Sequence, residues 1–173
     1  ASQIEPLLSG GTGSVSHTEE VPSFLPDRFE PGTPNIPGIL GLHAALCDLE
    51  QTDMDKLHQH ELELTQYFIN GLMQMDPSES TLRAIGKHNT IERTSVVSVQ
   101  TLQTDMARVA YEMDDTYGIM TRVGLHCAPS AHKTLGTYPE GTIRFSFGPE
   151  NTHHEVDLAL HALAEITGSP YHL

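Results

Sequence analysis

Two of the 173 residues are cysteines, and they stand in very different surroundings. Cys127 lies in the run TRVGLHCAPSAH, with Gly124 close before it and Ala128 and Pro129 directly after. Such neighbours exclude the middle of a helix or strand and predict an exposed thiol on a mobile loop. Arg122 and His126 are near in sequence, and positive or protonatable neighbours raise the thiolate fraction, which is the nucleophilic form. The same residues also admit an ordinary loop cysteine. A metal site would draw on His126, Cys127 and His132, with His153 and His154 later, but the paired spacing of a structural zinc site is missing. No metal is expected. Cys47, in the apolar helical pattern GLHAALCDLE, reads as a small buried thiol, and two cysteines are too few for a disulfide framework.

Other groups have chemistry to offer. In GTIRFSFG, Ile143, Phe145 and Phe147 share one face of a strand and Arg144 points from the other. An arginine so placed can hold a carboxylate bidentately, as an α-amino acid substrate requires; a surface salt bridge is the alternative. GGTGS at residues 10–14 and GTPN at residues 32–35 are turns carrying hydroxyls and backbone N–H groups able to cradle a phosphate. GTPN also leads straight into a helix. Neither continues into the Gly-Lys-Ser/Thr of a P-loop.

These groups need elements to hold them. Residues 1–34 are dense in Gly, Pro and Ser and show little periodicity, so they predict an irregular segment that packs on something else. From Asn35 onward Ile39, Leu42, Ala45, Leu46 and Leu49 recur at helical steps. A second helix starts at about Asp53, with Leu57, Leu62, Leu64, Phe68, Leu72 and Met75, and is broken by DPSES. TLRAIG, SVVSVQ, IMTRVG and GTIRFSFG are strand candidates. DMARVAYEMDDTYG reads as an amphipathic helix stopped by Gly118, and Thr152 with Glu155 forms a capping box opening a helix over NTHHEVDLALHALAEI. The expected class is α+β, a small antiparallel sheet covered by helices, with domain 35–173 following segment 1–34.

The totals narrow the function further. A formal charge of −14, from nine basic and twenty-three acidic residues, argues against a nucleic-acid surface, which needs clustered Lys and Arg. No apolar stretch reaches the roughly 20 residues of a membrane span, and the opening ASQIEPLLSGG lacks signal-peptide character, so a cytoplasmic enzyme is expected.

Taken in order, GGTGS, RFEPGTPN, YGIMTRVGLHCAP and IRFSFGPENTHHEVD resemble the C-terminal part of class V aminotransferase-fold enzymes, in the cysteine desulfurase and selenocysteine lyase branch. The resemblance runs from about Pro6 to Ile166. It implies a fold-type I enzyme using pyridoxal 5'-phosphate (PLP), a homodimer whose large domain binds the cofactor and whose smaller domain holds the C-terminus. Segment 1–34 would then belong to the large domain and the dimer interface. The resemblance implies that Cys127 takes sulfur from L-cysteine as a persulfide, leaving L-alanine, and passes it to a sulfur-acceptor protein. It assigns Arg144, Arg122, His126 and Asn35 to the substrate, and Thr33, Thr12 and Gly11 to the PLP phosphate, Thr33 across the subunit boundary. Selenocysteine lysis, another class V reaction or a non-catalytic domain are the alternatives it leaves. The family's PLP lysine lies before the GG turn; Lys56, Lys87 and Lys133 do not match it, so this stretch by itself is expected to be inactive.

Overall fold

In the computed structural model, residues 4–15 and 17–170 are described; residues 1–3 and Ser16 of the expected irregular segment lie outside the description. The chain forms two compact units, Ala1–Thr52 and Asp53–Leu173, and each is taken by itself.

The first unit is irregular through its glycine- and proline-rich part, apart from a short 3-10 turn at Asp27–Phe29. It ends in helix α1, Ile36–Gln51. Asn35 caps this helix, its side-chain oxygen accepting from Gly38 N at 3.1 Å, which satisfies one of the otherwise unpaired first-turn donors. No residue of α1 is buried within the described chain, and Cys47 is half-buried beside His43. The expected buried thiol is thus corrected: apolar periodicity predicts that a helix needs a covering partner, and its own unit does not bury this one.

The second unit runs α2 (Met54–Met75), β1 (Leu82–Ile85), β2 (Val96–Thr101), α3 (Met106–Tyr117), β3 (Arg122–Gly124), α4 (Pro129–Leu135), β4 (Thr142–Ser146) and α5 (His153–Thr167). Its sheet has the order β1-β2-β4-β3, antiparallel throughout. β2 and β3 therefore run the same way with β4 between them, and α3 makes the crossover. Side chains alternate across the sheet. Leu82, Ala84, Val97, Val99, Ile143, Phe145 and Phe147 face the core with Leu64, Phe68 and Ile69 of α2, Val109 and Met113 of α3, and Val156, Leu160 and Leu163 of α5. Phe68 meets Phe145 and Phe147 at ring-centroid distances of 4.8 and 5.3 Å. At Gly71 a side chain would run into Leu160, so a glycine there lets α2 and α5 approach closely.

The sequence expectations of Gly118 and the Thr152–Glu155 box are met. Gly118 closes α3 with φ of 68°, and Glu155 accepts from Thr152 N at 2.7 Å while Thr152 Oγ1 accepts from Glu155 N at 3.3 Å. β3 is shorter than IMTRVG suggests, and the short α4 carries no strong periodic signal. The architecture is α+β, a small antiparallel sheet with three helices on one face. Its other face carries Arg83, Gln100, Arg122, Thr142 and Arg144 by the same alternation.

Candidate active site

Cys127 is exposed and sits in a tight turn closed by Ala128 N donating to Leu125 O at 2.8 Å. The two central residues, His126 and Cys127, have φ of 49° and 58°. Both positions are left-handed, a geometry that turns usually give to Gly, Asn or Asp, and it costs a residue with a Cβ about 1–2 kcal/mol each. Backbone held in such a conformation persists only where its surroundings over-determine it, and it concentrates at functional sites.

The surroundings are specific. His126 Nε2 lies 3.1 Å from both the carbonyl and the hydroxyl of Thr142, one strand away. Burial, then the Arg144 charge, push the His126 pKa below its ordinary value; the Thr142 hydrogen bond works against this shift, while His132 and Arg122 add to it. The imidazole therefore favours its neutral form, so His126 is not the positive neighbour expected beside the thiol. His132 is buried, its Nδ1 2.7 Å from Thr137 Oγ1, and its ring is 5.7 Å from that of His126.

Arg122 and Arg144 are direct cross-strand partners. Like charges placed opposite one another destabilise a sheet, so this arrangement needs a reason outside the fold. Neither guanidinium forms an ion pair among the described residues, and Arg144 Nε is buried without a hydrogen-bond partner. In a chain so rich in acids, Arg122 and Arg144 thus stand opposed with no carboxylate of the unit paired to either. The surface salt bridge weighed for Arg144 is not formed. His126, beside Cys127 in the turn, thus feels the charges of Arg122 and Arg144 at the β3–β4 end of the sheet. Among the described residues no group of three or more His, Cys, Asp and Glu is arranged to hold a metal.

The other sequence-predicted residues lie in the first unit. Its two glycine-rich turns meet: Gly32 N donates to Gly11 O at 2.7 Å, with φ of 88° at Gly32 and 77° at Gly13. Thr12 Oγ1 is 2.9 Å from Ser14 Oγ, and Thr33 is exposed. Hydroxyls and turn backbone brought side by side fit the phosphate end of PLP. Asn35 spends its side-chain oxygen on capping α1, which leaves its NH2 for any ligand. The aldehyde end of the cofactor finds no match. Lys56 pairs with Asp53 at 3.3 Å, Lys87 pairs with Glu92 at 2.8 Å, and the Lys133 ammonium lies 5.1 Å from the centroid of the Tyr138 ring.

Sequence reasoning missed Thr142, Gln100 and Thr137, and weighed His132 only as a metal ligand. The alternation of TIRFS puts Thr142 on the face of Arg144, a signal that could have found it; His132 and Thr137 belong to the same excursion between β3 and β4, and only Gln100 reaches the loop through long-range pairing.

A model of the aminotransferase class-V family matches residues 1–159, and the chain belongs to that family. It is 34% identical over 169 residues to a protein of Pyrococcus abyssi and 33% identical over 164 residues to one of Staphylococcus epidermidis, both bearing the name "Probable cysteine desulfurase". Those alignments cover 96% and 94% of this chain but 40% and 38% of the relatives, so the chain spans about two fifths of their length. Among solved structures, the cysteine desulfurase of Thermococcus onnurineus is similar with a TM-score of 0.72 at 30% identity, over 95% of this chain and 38% of that one. The cysteine desulfurase CsdA of Escherichia coli gives 0.65 at 26% identity, over 94% and 39%. The fold is accordingly that of fold-type I PLP enzymes, a family of generally PLP-dependent proteins. Among the described residues no helix is long and apolar enough to cross a membrane.

Proposed function

We propose that this chain is the thiol-bearing part of a PLP-dependent cysteine desulfurase. The observation that carries the reading is an exposed cysteine in a strained turn whose other central residue, His126, feels two opposed arginines that no carboxylate of the unit pairs with. Arg144 and Arg122 hold the α-carboxylate of L-cysteine, Arg144 from the half-buried position and Arg122 from the exposed edge. His126, favouring its neutral form, completes the substrate side in this unit, and in the first unit the amide NH2 of Asn35 is assigned to the substrate by the family resemblance. Gly11, Thr12 and Thr33 hold the PLP phosphate, Thr33 across a homodimer interface. Bound PLP supplies an electron sink to the substrate.

The chemistry on the protein side is a transfer of sulfur to Cys127 Sγ. The substrate C–S bond breaks, an S–S bond forms to Sγ, and the carbon takes up a proton to give L-alanine. Cysteine plus protein thiol equals alanine plus protein persulfide, so no outside oxidant is needed. A thiol at the apex of an exposed turn can then present the persulfide to an acceptor protein. Residues 1–34 belong to the large cofactor domain and dimer interface, residues 35–173 form the small domain, and the protein acts in the cytoplasm. The exposed Ile39, Leu40, Leu42 and Leu46 of α1 support a larger assembly, because a helix apolar on all sides calls for a covering surface.

The test is turnover of L-cysteine by the full-length, PLP-loaded protein, with alanine quantified and the persulfide mapped by mass spectrometry. Alanine release with sulfur on Cys127 is expected. Unchanged desulfuration by Cys127→Ala would refute the role of the thiol, and a strong preference for selenocysteine would move the activity to the neighbouring branch.

A further inference from the structure

The excursion from β3 to β4 leaves the sheet at Gly124 and returns at Thr142, which are paired across the two strands. Cys127 lies within it, so the geometry at its base decides where the thiol stands. Gly141 sits at that base with φ of 82°, and a Cβ there would fall inside the Gly124 backbone. Both polar groups of Gly141 are committed. Its N–H donates to Thr137 O at 2.7 Å, and its carbonyl accepts from Gln100 Nε2 at 3.2 Å. Gln100 is itself buried on β2, and its Oε1 accepts from Arg83 of β1. A relay of hydrogen bonds thus runs from β1 through β2 to the base of the thiol loop. From the other side Thr142, only 1% exposed, receives His126 Nε2 on its carbonyl and hydroxyl.

From this geometry we propose that Gln100 and Thr142 are positioning residues for Cys127, clamping the loop at its base and at His126 so that the left-handed turn is retained. Their catalytic meaning rests on the desulfurase reading; the clamp itself rests on the hydrogen bonds alone. Two successive side-chain-bearing residues in the left-handed region relax unless they are restrained, and these are the contacts that restrain them from neighbouring strands. Gln100 bonds to Gly141 and Arg83 and to neither Arg122 nor Arg144, so loss of its contact moves the thiol and leaves carboxylate binding in place, whereas Thr142 acts through His126 and can affect both.

The experiment uses the full-length, PLP-loaded protein with Gln100→Glu, Thr142→Val and Thr142→Ser. Gln100→Glu keeps an acceptor for Arg83 and removes the donor to Gly141; Thr142→Val keeps the shape and removes the hydroxyl. Hydrogen–deuterium exchange across residues 122–130 is read against α5 as an internal control. Loss of one hydrogen bond should speed loop exchange by about three- to tenfold with α5 unchanged. In Gln100→Glu kcat should fall while KM for L-cysteine holds; in Thr142→Val kcat should fall, and Thr142→Ser should retain the wild-type values. Unchanged loop exchange in Gln100→Glu and Thr142→Val overturns the clamp, and faster exchange with unchanged kcat overturns the positioning role. Cys127→Ala separates the two readings: if it keeps turnover, the desulfurase reading fails, and loop exchange, which needs no turnover, still decides the clamp.

Discussion

Replacing Arg122 by glutamine removes one of two guanidinium groups that face each other across β3 and β4, and the structure sets the expected sign of two separate effects. The first is on stability. Like charges directly opposite in an antiparallel pair cost roughly 0.2–1 kcal/mol, and Arg122 is exposed, so salt screens the repulsion. Arg122→Gln should therefore melt at the same temperature as the parent or slightly above it at low salt, and the gap should close as salt is added. The second effect is on substrate. If the pair exists to hold a carboxylate, the variant loses a charge-assisted hydrogen bond of about 1.5–3 kcal/mol, which is roughly a ten- to 150-fold loss in kcat/KM carried mainly by KM. The opposite signs are diagnostic, because a residue retained for packing would lose stability and keep its kinetics. Steady-state turnover of L-cysteine by the full-length protein and melting curves at two salt concentrations read both effects. A variant that melts lower and keeps KM would refute the anion-site argument.

Two further outcomes concern pH and local structure. His126 has a folded pKa below its ordinary value of 6.5, so the unfolded chain takes up the proton first and stability falls as pH drops below about 6.5. Melting curves at pH 8 and 5.5 should show this fall reduced in His126→Gln, and an identical fall in both proteins would remove His126 as its source. Asp76 is buried, which alone would raise its pKa, yet the N–H groups of Leu82 and Thr81 and bonds from Ser78 and Ser80 hold it well below the usual carboxylate range. Its contribution is present above about pH 4 and is lost as pH falls through the folded value. Asp76→Asn should cost about 1–3 kcal/mol near neutral pH by denaturant unfolding and flatten the acid limb, since the carboxylate ties the end of α2 to the start of β1.

The elements were legible where the signal is local. Alternation marks β1, β2 and β4 because each has one face against the core, and the boundaries of α3 and α5 follow from Gly118 and the Thr152–Glu155 box, whose hydrogen bonds close within a few residues. Cys47 was misread as buried because apolar periodicity states a need for burial without stating which surface meets it. The seven-residue α4 was not visible because a helix that short shows less than two full turns of any pattern.

The candidate site divides the same way. The sequence by itself determined the cast: a thiol excluded from regular structure by Gly124, Ala128 and Pro129, an arginine opposed to an apolar strand face, two glycine-rich turns, and an order of motifs that resembles the class V family. Only the tertiary structure decided the relations. Inserting β4 between β2 and β3 sets Arg144 against Arg122, brings Thr142 to His126, and lets Gln100 reach the base of the Cys127 loop. Those residues are far apart along the chain, and their contacts arise from strand pairing and from burying one sheet face under three helices. A local window of residue types carries the chemistry of each group; the distance and charge between groups belong to the pairing of strands, which no local window contains.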